Sequence, residues 1–192
     1  MAPLPQNYTI RTCRRDEVDR WKTFPFDTEK DAQKYEDFMS EYVDRVYGDR
    51  LQEFLDNTFL LCREDGEPIA TCSYWKAYDR FFTIQWFKTV KQYEGRGLGR
   101  ALLSHVMDEF ALGDYPIYLH TQPGSFRAIK LYSDFGFSLL SGDRLGSRKN
   151  DLSESLAILQ DFMHSEGHKK LEIVEPDPVI IDMLSNERSP HF

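Results

Sequence analysis

Three alternate glycines, Gly95, Gly97 and Gly99, stand between a segment with the composition of a strand and one with the spacing of an amphipathic helix. Upstream, Phe82 to Val90 is rich in aromatic and β-branched residues. Downstream, Leu98, Ala101, Leu102, His105, Val106 and Phe110 recur at helical spacing, and Gly113 stands where a C-terminal cap belongs. A helix starting near Leu98 leaves its first N–H groups ahead of the helical ladder and turns the positive end of its dipole toward the loop. Glycines let the backbone bend sharply there and let a diphosphate reach the amides without meeting a Cβ. Tyr93-Glu94-Gly95-Arg96-Gly97-Leu98-Gly99-Arg100 is thus a candidate phosphate cradle, flanked by the cations Arg96 and Arg100. The bland alternative is a tight turn with no ligand.

Spacing separates this loop from two other glycine loops. Counting from Gly95, a Walker A loop would need Gly-Lys-Ser/Thr where Arg100-Ala101-Leu102 stand. A dinucleotide fingerprint would need Gly or Ala at Leu102, or Gly at Arg100, depending on the starting glycine. Both counts fail.

A second constellation follows. Ile117 to Thr121 reads as a strand and Gln122-Pro123-Gly124 as its turn. Ser125 is the expected N-cap of a helix whose apolar positions Ala128, Ile129, Tyr132 and Phe135 share a face, and Gly136 closes it. The order strand, glycine loop, helix, strand, helix places the loop at the carboxyl end of a strand, where ligands of open α/β sheets bind.

With these residues in place, the chain resembles the GNAT superfamily of acyl-CoA-dependent N-acyltransferases. The family loop, Gln/Arg-x-x-Gly-x-Gly/Ala, is met by Glu94-Gly95-Arg96-Gly97-Leu98-Gly99, with Glu94 in place of Gln or Arg. The family's Asn-x-x-Ala-x-x-x-Tyr-x-x-x-Gly-Phe is met by Ser125, Ala128, Tyr132, Gly136 and Phe137, with Ser125 in place of Asn. The match covers about Phe81 to Phe137. It implies an α/β (α+β) fold with a central mixed, mostly antiparallel sheet, flanked by helices and splayed at the acyl-CoA site. Residues 1–150 would form the acyltransferase core, and residues 151–192 a C-terminal extension packed on the same domain.

The resemblance implies acetyl-CoA as co-substrate, no metal, and transfer of the acetyl group to a primary amine in a ternary complex. Its diphosphate would lie on amides of Gly95, Arg96, Gly97, Leu98, Gly99 and Arg100, with Glu94, Ser125, Ala128 and Tyr132 nearby. A strand N–H within Phe87, Lys88 and Thr89 would polarise the acyl carbonyl, and main-chain groups of Phe87 and Thr89 would pair with the pantetheine arm. Tyr132 would give a proton to the departing thiolate; its other reading is core packing. Leu119-His120-Thr121-Gln122-Pro123-Gly124-Ser125 is similar to the Leu-Glu-Val-Arg-Pro-Ser-Asn segment of ribosomal-protein N-terminal acetyltransferases, which puts His120 at the position of the base. An imidazole of ordinary pKa near 6.5 accepts a proton at neutral pH; a hydrogen-bonded strand histidine is the alternative. Glu94, Gln85 and Tyr74 are lesser candidates for handling the amine.

Composition narrows the partners. A net charge of -8 disfavours nucleic acid, which needs clustered Lys and Arg, and suits a cationic acceptor. With no long apolar run and no basic-then-apolar leader, neither a membrane partner nor export is expected, and the expected address is the cytoplasm. Cys13, Cys62 and Cys72 lack metal-ligand spacing and are expected as buried thiols. The acceptor is expected to be a small-molecule amine. A protein lysine or N-terminal amine, and a non-catalytic acyl-CoA-binding module, are the alternatives.

Elsewhere, Asn7 to Cys13 reads as a strand, Asp16 to Trp21 as a short helix, and Leu51 to Asp56 as a helical turn. Asn57 to Arg63 pairs with Pro68 to Ala77 through a turn at Asp65-Gly66. Between Thr28, an expected N-cap, and Gly48, a stripe of Ala32, Tyr35, Phe38, Met39, Tyr42, Val43 and Val46 predicts one long helix. Trp21, Phe24 and Phe26 fall in the region that walls the acceptor pocket in the family, although such aromatics are more often core. In the tail, Asp151 to Glu154 resembles a capping box, Leu171 to Val174 a last strand, and Pro176 with Pro178 a break before Val179 to Leu184. The extension completes the sheet, covers the acceptor site or contacts another copy in a homodimer; the sequence leaves all three open.

Overall fold

Strand-forming residues between Thr58 and Thr89 give three consecutive antiparallel strands, and an N-terminal strand joins their edge. The computed structural model describes residues 2–77, 81–114, 116–146 and 148–185. Its main sheet has the order β1 (Tyr8–Thr12), β2 (Thr58–Arg63), β3 (Pro68–Ala77) and β4 (Phe81–Thr89), all antiparallel. The β2–β3 turn uses Gly66 at φ 85°, a conformation open to glycine. Clustering of contacts divides the chain into two compact units, one running to Tyr118 and one starting at Leu119.

In the first unit both faces of the sheet are covered. Trp21, at the end of α1 (Val18–Trp21), donates its indole N–H to Thr71 Oγ1 on β3 (3.0 Å). The Phe59 ring of β2 meets His105 on the helix after the glycine loop, at 4.9 Å between centroids. The predicted helix over 28–48 is two helices, α2 (Glu29–Lys34) and α3 (Glu36–Tyr47). Thr28 caps α2 as expected, accepting from the Asp31 N–H, but at Tyr35 the chain leaves helical geometry (φ -109°, ψ 14°). The break changes the helical phase. The buried stripe is therefore Met39, Val43 and Tyr47 at i, i+4 and i+8. Phe38 is 53% exposed, and Tyr35 stacks on Phe26 instead of entering the core.

The helix after the last of these, α4 (Leu51–Asp56), supplies Phe54, which packs with Tyr47 and Trp21 at centroid distances of 4.2 and 4.8 Å. Each such burial contributes about 1.5–3 kcal/mol. On the other face, α5 (Leu98–Asp108) buries Leu98, Ala101, Leu102, Leu103 and Val106. It ends at Asp108, so Gly113, in a 3-10 turn at Leu112–Asp114, does not cap it. The strand expected over 117–121 is reduced, among the described residues, to one parallel bridge between Tyr118 and Thr83.

The second unit is built from helices and very short strands. A 3-10 turn at Pro123–Ser125 leads into α6 (Phe126–Asp134), then β5 (Leu139–Leu140), β6 (Arg144–Leu145) and β7 (Arg148–Lys149). There follow α7 (Leu152–Phe162), α8 (Ser165–His168), β8 (Ile173–Val174) and α9 (Pro178–Ser185). Ile129 of α6, Leu159 of α7 and Met163 form its core, with Phe126, Leu139 and Leu171 against them. The tail strand pairs in parallel with β5. The capping box at Asp151 does not form: that carboxylate binds Lys149 (2.5 Å), and Glu154 accepts from the Ser153 hydroxyl (3.0 Å). The chain is a mixed α/β fold whose antiparallel sheet is flanked by helices, as the sequence predicts. No helix among the described residues is long and apolar enough to cross a membrane.

Candidate functional site

The end of β4, the glycine loop and the start of α5 form one corner of the first unit. A 3-10 turn at Lys91–Tyr93 ends β4, Glu94 is extended, and Gly95 and Gly97 take φ values of 75° and 77°. In that left-handed region a side chain costs about 1–2 kcal/mol. A Cβ on either glycine would meet nothing within 4 Å, so the backbone is open to an approaching group. Gly99 has a different reason: its Cβ would lie 3.3 Å from Phe87 Cζ and Thr89 Oγ1, so its absence lets α5 sit tightly on β4. The first helical bond runs from Ala101 N–H to Gly97 O (3.0 Å), which places the Leu98, Gly99 and Arg100 amides ahead of the helical ladder. Leu98 itself is buried and anchors the helix. Arg96 turns back from the loop, donating to Gln92 O (3.0 Å) over the Tyr93 ring, while the Arg100 side chain is exposed.

β4 carries a feature that the sequence did not reveal. Thr71 pairs with Lys88 and Ser73 with Gln85, so Trp86 and Phe87 together oppose Cys72 in a β-bulge. Trp86 has φ 52°, rare for a bulky residue. The extra residue reverses the phase of the strand. Before it, the Phe82 carbonyl faces the outer edge and accepts from Tyr118 N–H (3.0 Å). After it, Val90 N–H faces β3 and donates to Ile69 O (2.9 Å), so by alternation Phe87 and Thr89 present their N–H and C=O groups outward. Among the described residues no strand pairs with this edge beyond the Thr83–Tyr118 bridge.

On the sheet face opposite α5, a cleft of about 370 Å³ is lined by Phe24, Phe26 and Val90, by the cations Arg20, Lys88 and Lys91, and by Asp27. Lys88 Nζ lies 2.7 Å from Asp27 Oδ1, and that hydrogen bond holds the Asp27 carboxyl below its usual range. The Lys88 side chain is thus committed to the cleft, leaving its main chain for β3.

The remaining sequence-derived candidates belong to the second unit. Tyr132 is buried on α6, its ring 5.7 Å from that of Phe137 by centroid. Ala128 is half-buried on the same helix. Ser125 holds the N-cap position, but its side chain makes no capping bond, because the preceding 3-10 turn already feeds the helix. His120 is half-buried, and burial, with Arg148 as the second cause, pushes its imidazole down to about 4. It is neutral throughout the neutral range, a proton acceptor of low basicity. Of the lesser candidates, Gln85 accepts a hydrogen bond from the Tyr47 hydroxyl, Tyr74 packs among Phe59, Phe82 and Phe110, and Glu94 is half-buried.

The bulge and the Asp27–Lys88 pair are what sequence reasoning missed. Nothing in Gln85-Trp86-Phe87 announces a left-handed residue, since no glycine or asparagine stands there. Asp27 and Lys88 are joined only by the fold.

A model of the acetyltransferase (GNAT) family matches residues 18–137. A GNAT-family acetyltransferase from Staphylococcus aureus MU50 is similar in structure, with a TM-score of 0.56 and 18% identity over 75% of this chain and 94% of that one. A protein from Pyrococcus horikoshii OT3 gives 0.53 and 20% over 71% and 92%. Arabidopsis thaliana Naa50, in complex with the bisubstrate analogue CoA-Ac-MVNAL, gives 0.50 and 22% over 75% and 91%. Comparison with curated proteins yields no match.

Proposed function

The chain belongs to the acetyltransferase (GNAT) family, and from that premise we propose that it moves the acetyl group of acetyl-CoA to a primary amine of a small molecule, by direct attack in a ternary complex. The observation that carries this reading is the corner of β4, the glycine loop and α5. Outward main-chain groups of Phe87 and Thr89 end on the open amides of a helix N-terminus, an arrangement suited to an acyl-pantetheine arm that finishes in a diphosphate. The fit is also steric, since the glycines bring no side chain into the loop.

In this reaction the C–S bond of the thioester breaks as the C–N bond forms. The amides from Gly95 to Arg100 receive the diphosphate, and the family resemblance gives Glu94, Ser125 and Ala128 parts in binding the cofactor. A strand N–H within Phe87 to Thr89 stabilises the developing oxyanion, fixed in place before the reaction begins. Tyr132 gives its phenolic proton to the departing thiolate. His120, neutral at working pH, takes the proton from the amine directly or through water. Residues 1–150 serve as the acyltransferase core and 151–192 as its extension, in a protein that works in the cytoplasm. The small-molecule acceptor is supported by the cleft at Asp27, whose volume falls in the range of small-ligand sites, roughly 300–1,000 Å³.

Release of free thiol from acetyl-CoA, followed with a panel of small primary amines, lysine peptides and free peptide N-termini, tests this function. Release with small amines is the expected result. Release with peptides alone would overturn the acceptor assignment. Binding without release for any amine would leave an acyl-CoA-binding module.

A further inference from the structure

Tyr47 ends α3 fully buried, and the roles assigned above give it no part. Its hydroxyl accepts from the Trp86 indole N–H (3.1 Å) and donates to Gln85 Oε1. A regular strand cannot offer two successive side chains to one partner, because they point to opposite faces. The bulge in β4 makes this double contact possible, and the contact in turn holds both residues on the α3 side of the sheet.

Chemistry fixes the direction of these bonds. An indole is a donor only, so the phenol oxygen must accept from Trp86 and gives its single proton to the Gln85 carbonyl, with the Tyr42 hydroxyl as a further neighbour of the same oxygen. Burial raises the Tyr47 hydroxyl well above its ordinary range, so it stays protonated and able to donate. The Trp86 ring is enclosed edge-to-face by Trp21 and Tyr42, at centroid distances of 5.5 and 5.2 Å. A bulky residue at φ 52° persists only where its surroundings over-determine it.

Resting on the acyltransferase reading, we propose that Tyr47 is a positioning residue: it locks the β4 bulge and so fixes the direction in which Phe87 and Thr89 present their main chain to the acyl-CoA arm. The bulge sets the strand's phase, and a loosened bulge would let the outward N–H groups drift from the oxyanion they must meet. Such a donor matters more as charge develops than when the substrate merely binds.

Tyr47→Phe removes one oxygen and keeps the ring. The expected result is a fall in kcat of about 10-fold or more with KM for acetyl-CoA within about 3-fold of wild type. Amide hydrogen exchange at Lys88 and Val90, whose N–H groups face β3, should quicken, while that of β1 and β2 is unchanged. A lower Tm with kcat per folded molecule unchanged would overturn the proposal, as would a lost kcat with unaltered exchange at the bulge. Should Tyr47→Phe fold poorly, Gln85→Leu removes the acceptor from the other side. It should loosen the same ladder-bonded amides, and unchanged exchange there would equally overturn the lock. Absence of thiol release in the wild type would refute the acyltransferase reading, and with it the catalytic consequence given to Tyr47; exchange at the bulge tests the lock without turnover.

Discussion

The two units carry their candidate chemistry on different kinds of group. In the first, strands of five to ten residues form long ladders interrupted by the β4 bulge, and the groups offered to a ligand are main-chain amides positioned by those ladders and by α5. In the second, strands are two residues long, and the candidates Tyr132 and His120 act through side chains on a helix and on irregular chain. The difference teaches that binding and proton transfer ask different things of a fold. An amide needs only a fixed direction, which pairing supplies. A titrating side chain depends on its environment, and burial lowers the His120 imidazole to about 4, which makes it a weaker base.

If that division holds, a side-chain change in the second unit should strike turnover while sparing cofactor binding. Tyr132→Phe is expected to lower kcat by about 10²- to 10⁴-fold, the usual contribution of a general acid, with acetyl-CoA affinity near wild type. Single-turnover thiol release alongside calorimetry checks it. Unchanged turnover would return Tyr132 to the core and erase the contrast.

A smaller effect sharpens the same comparison through pH. The folded-state pKa of His120, about 4, lies below the ordinary 6.5 of an unfolded histidine. Between those values the unfolded chain binds the proton and the folded chain does not. Stability contributed by His120 is therefore complete above pH 6.5, falls as the pH drops from 6.5 to 4, and levels off below that. The loss is about 3 kcal/mol at most. Between pH 6.5 and 4 the unfolding free energy from urea titrations should fall by up to about 3 kcal/mol more in wild type than in His120→Gln, whereas equal falls would show that burial does not shift the group. The same shift moves any activity limb owed to His120 toward pH 4, below the neutral range that the unperturbed imidazole suggests.

The legible parts of the molecule were those set by local chemistry. Composition marks β4 as a strand, and Gly95 and Gly97 mark a loop whose backbone must enter the left-handed region, so the corner could be read from about a dozen residues. The helix over 28–48 was legible in place but not in phase. Tyr35 and Phe38 fit the stripe on paper, and the break at Tyr35 turns them outward. The strand at Ile117 to Thr121 kept one bridge because its pairing depends on a distant edge, which local pattern does not encode. The bulge was hidden for a similar reason. Trp86 has no intrinsic preference for φ 52°, and its surroundings there, Trp21, Tyr42 and the hydroxyl of Tyr47, lie 39 or more positions away in sequence. The acidity of His120 depends on burial and on Arg148, 28 positions further along the chain, and spacing says nothing of either.

The central claim, that the main chain of the glycine loop receives the diphosphate, is most directly tested by calorimetric titration of acetyl-CoA into wild type and Gly97→Val. At φ 77° a valine is strained, and its branched Cβ would stand in the open approach to the amides. The strain lowers the stability of the folded protein by about 1–2 kcal/mol, while the blocked approach to the amides weakens binding by roughly 30-fold in Kd, about 2 kcal/mol. Gly124→Ala, at a glycine with no close neighbour and no positive φ, provides the control for glycine loss as such and should bind like wild type. Weakened binding in Gly97→Val alone, with its circular dichroism intact, is expected. Wild-type affinity in a folded Gly97→Val protein would contradict it.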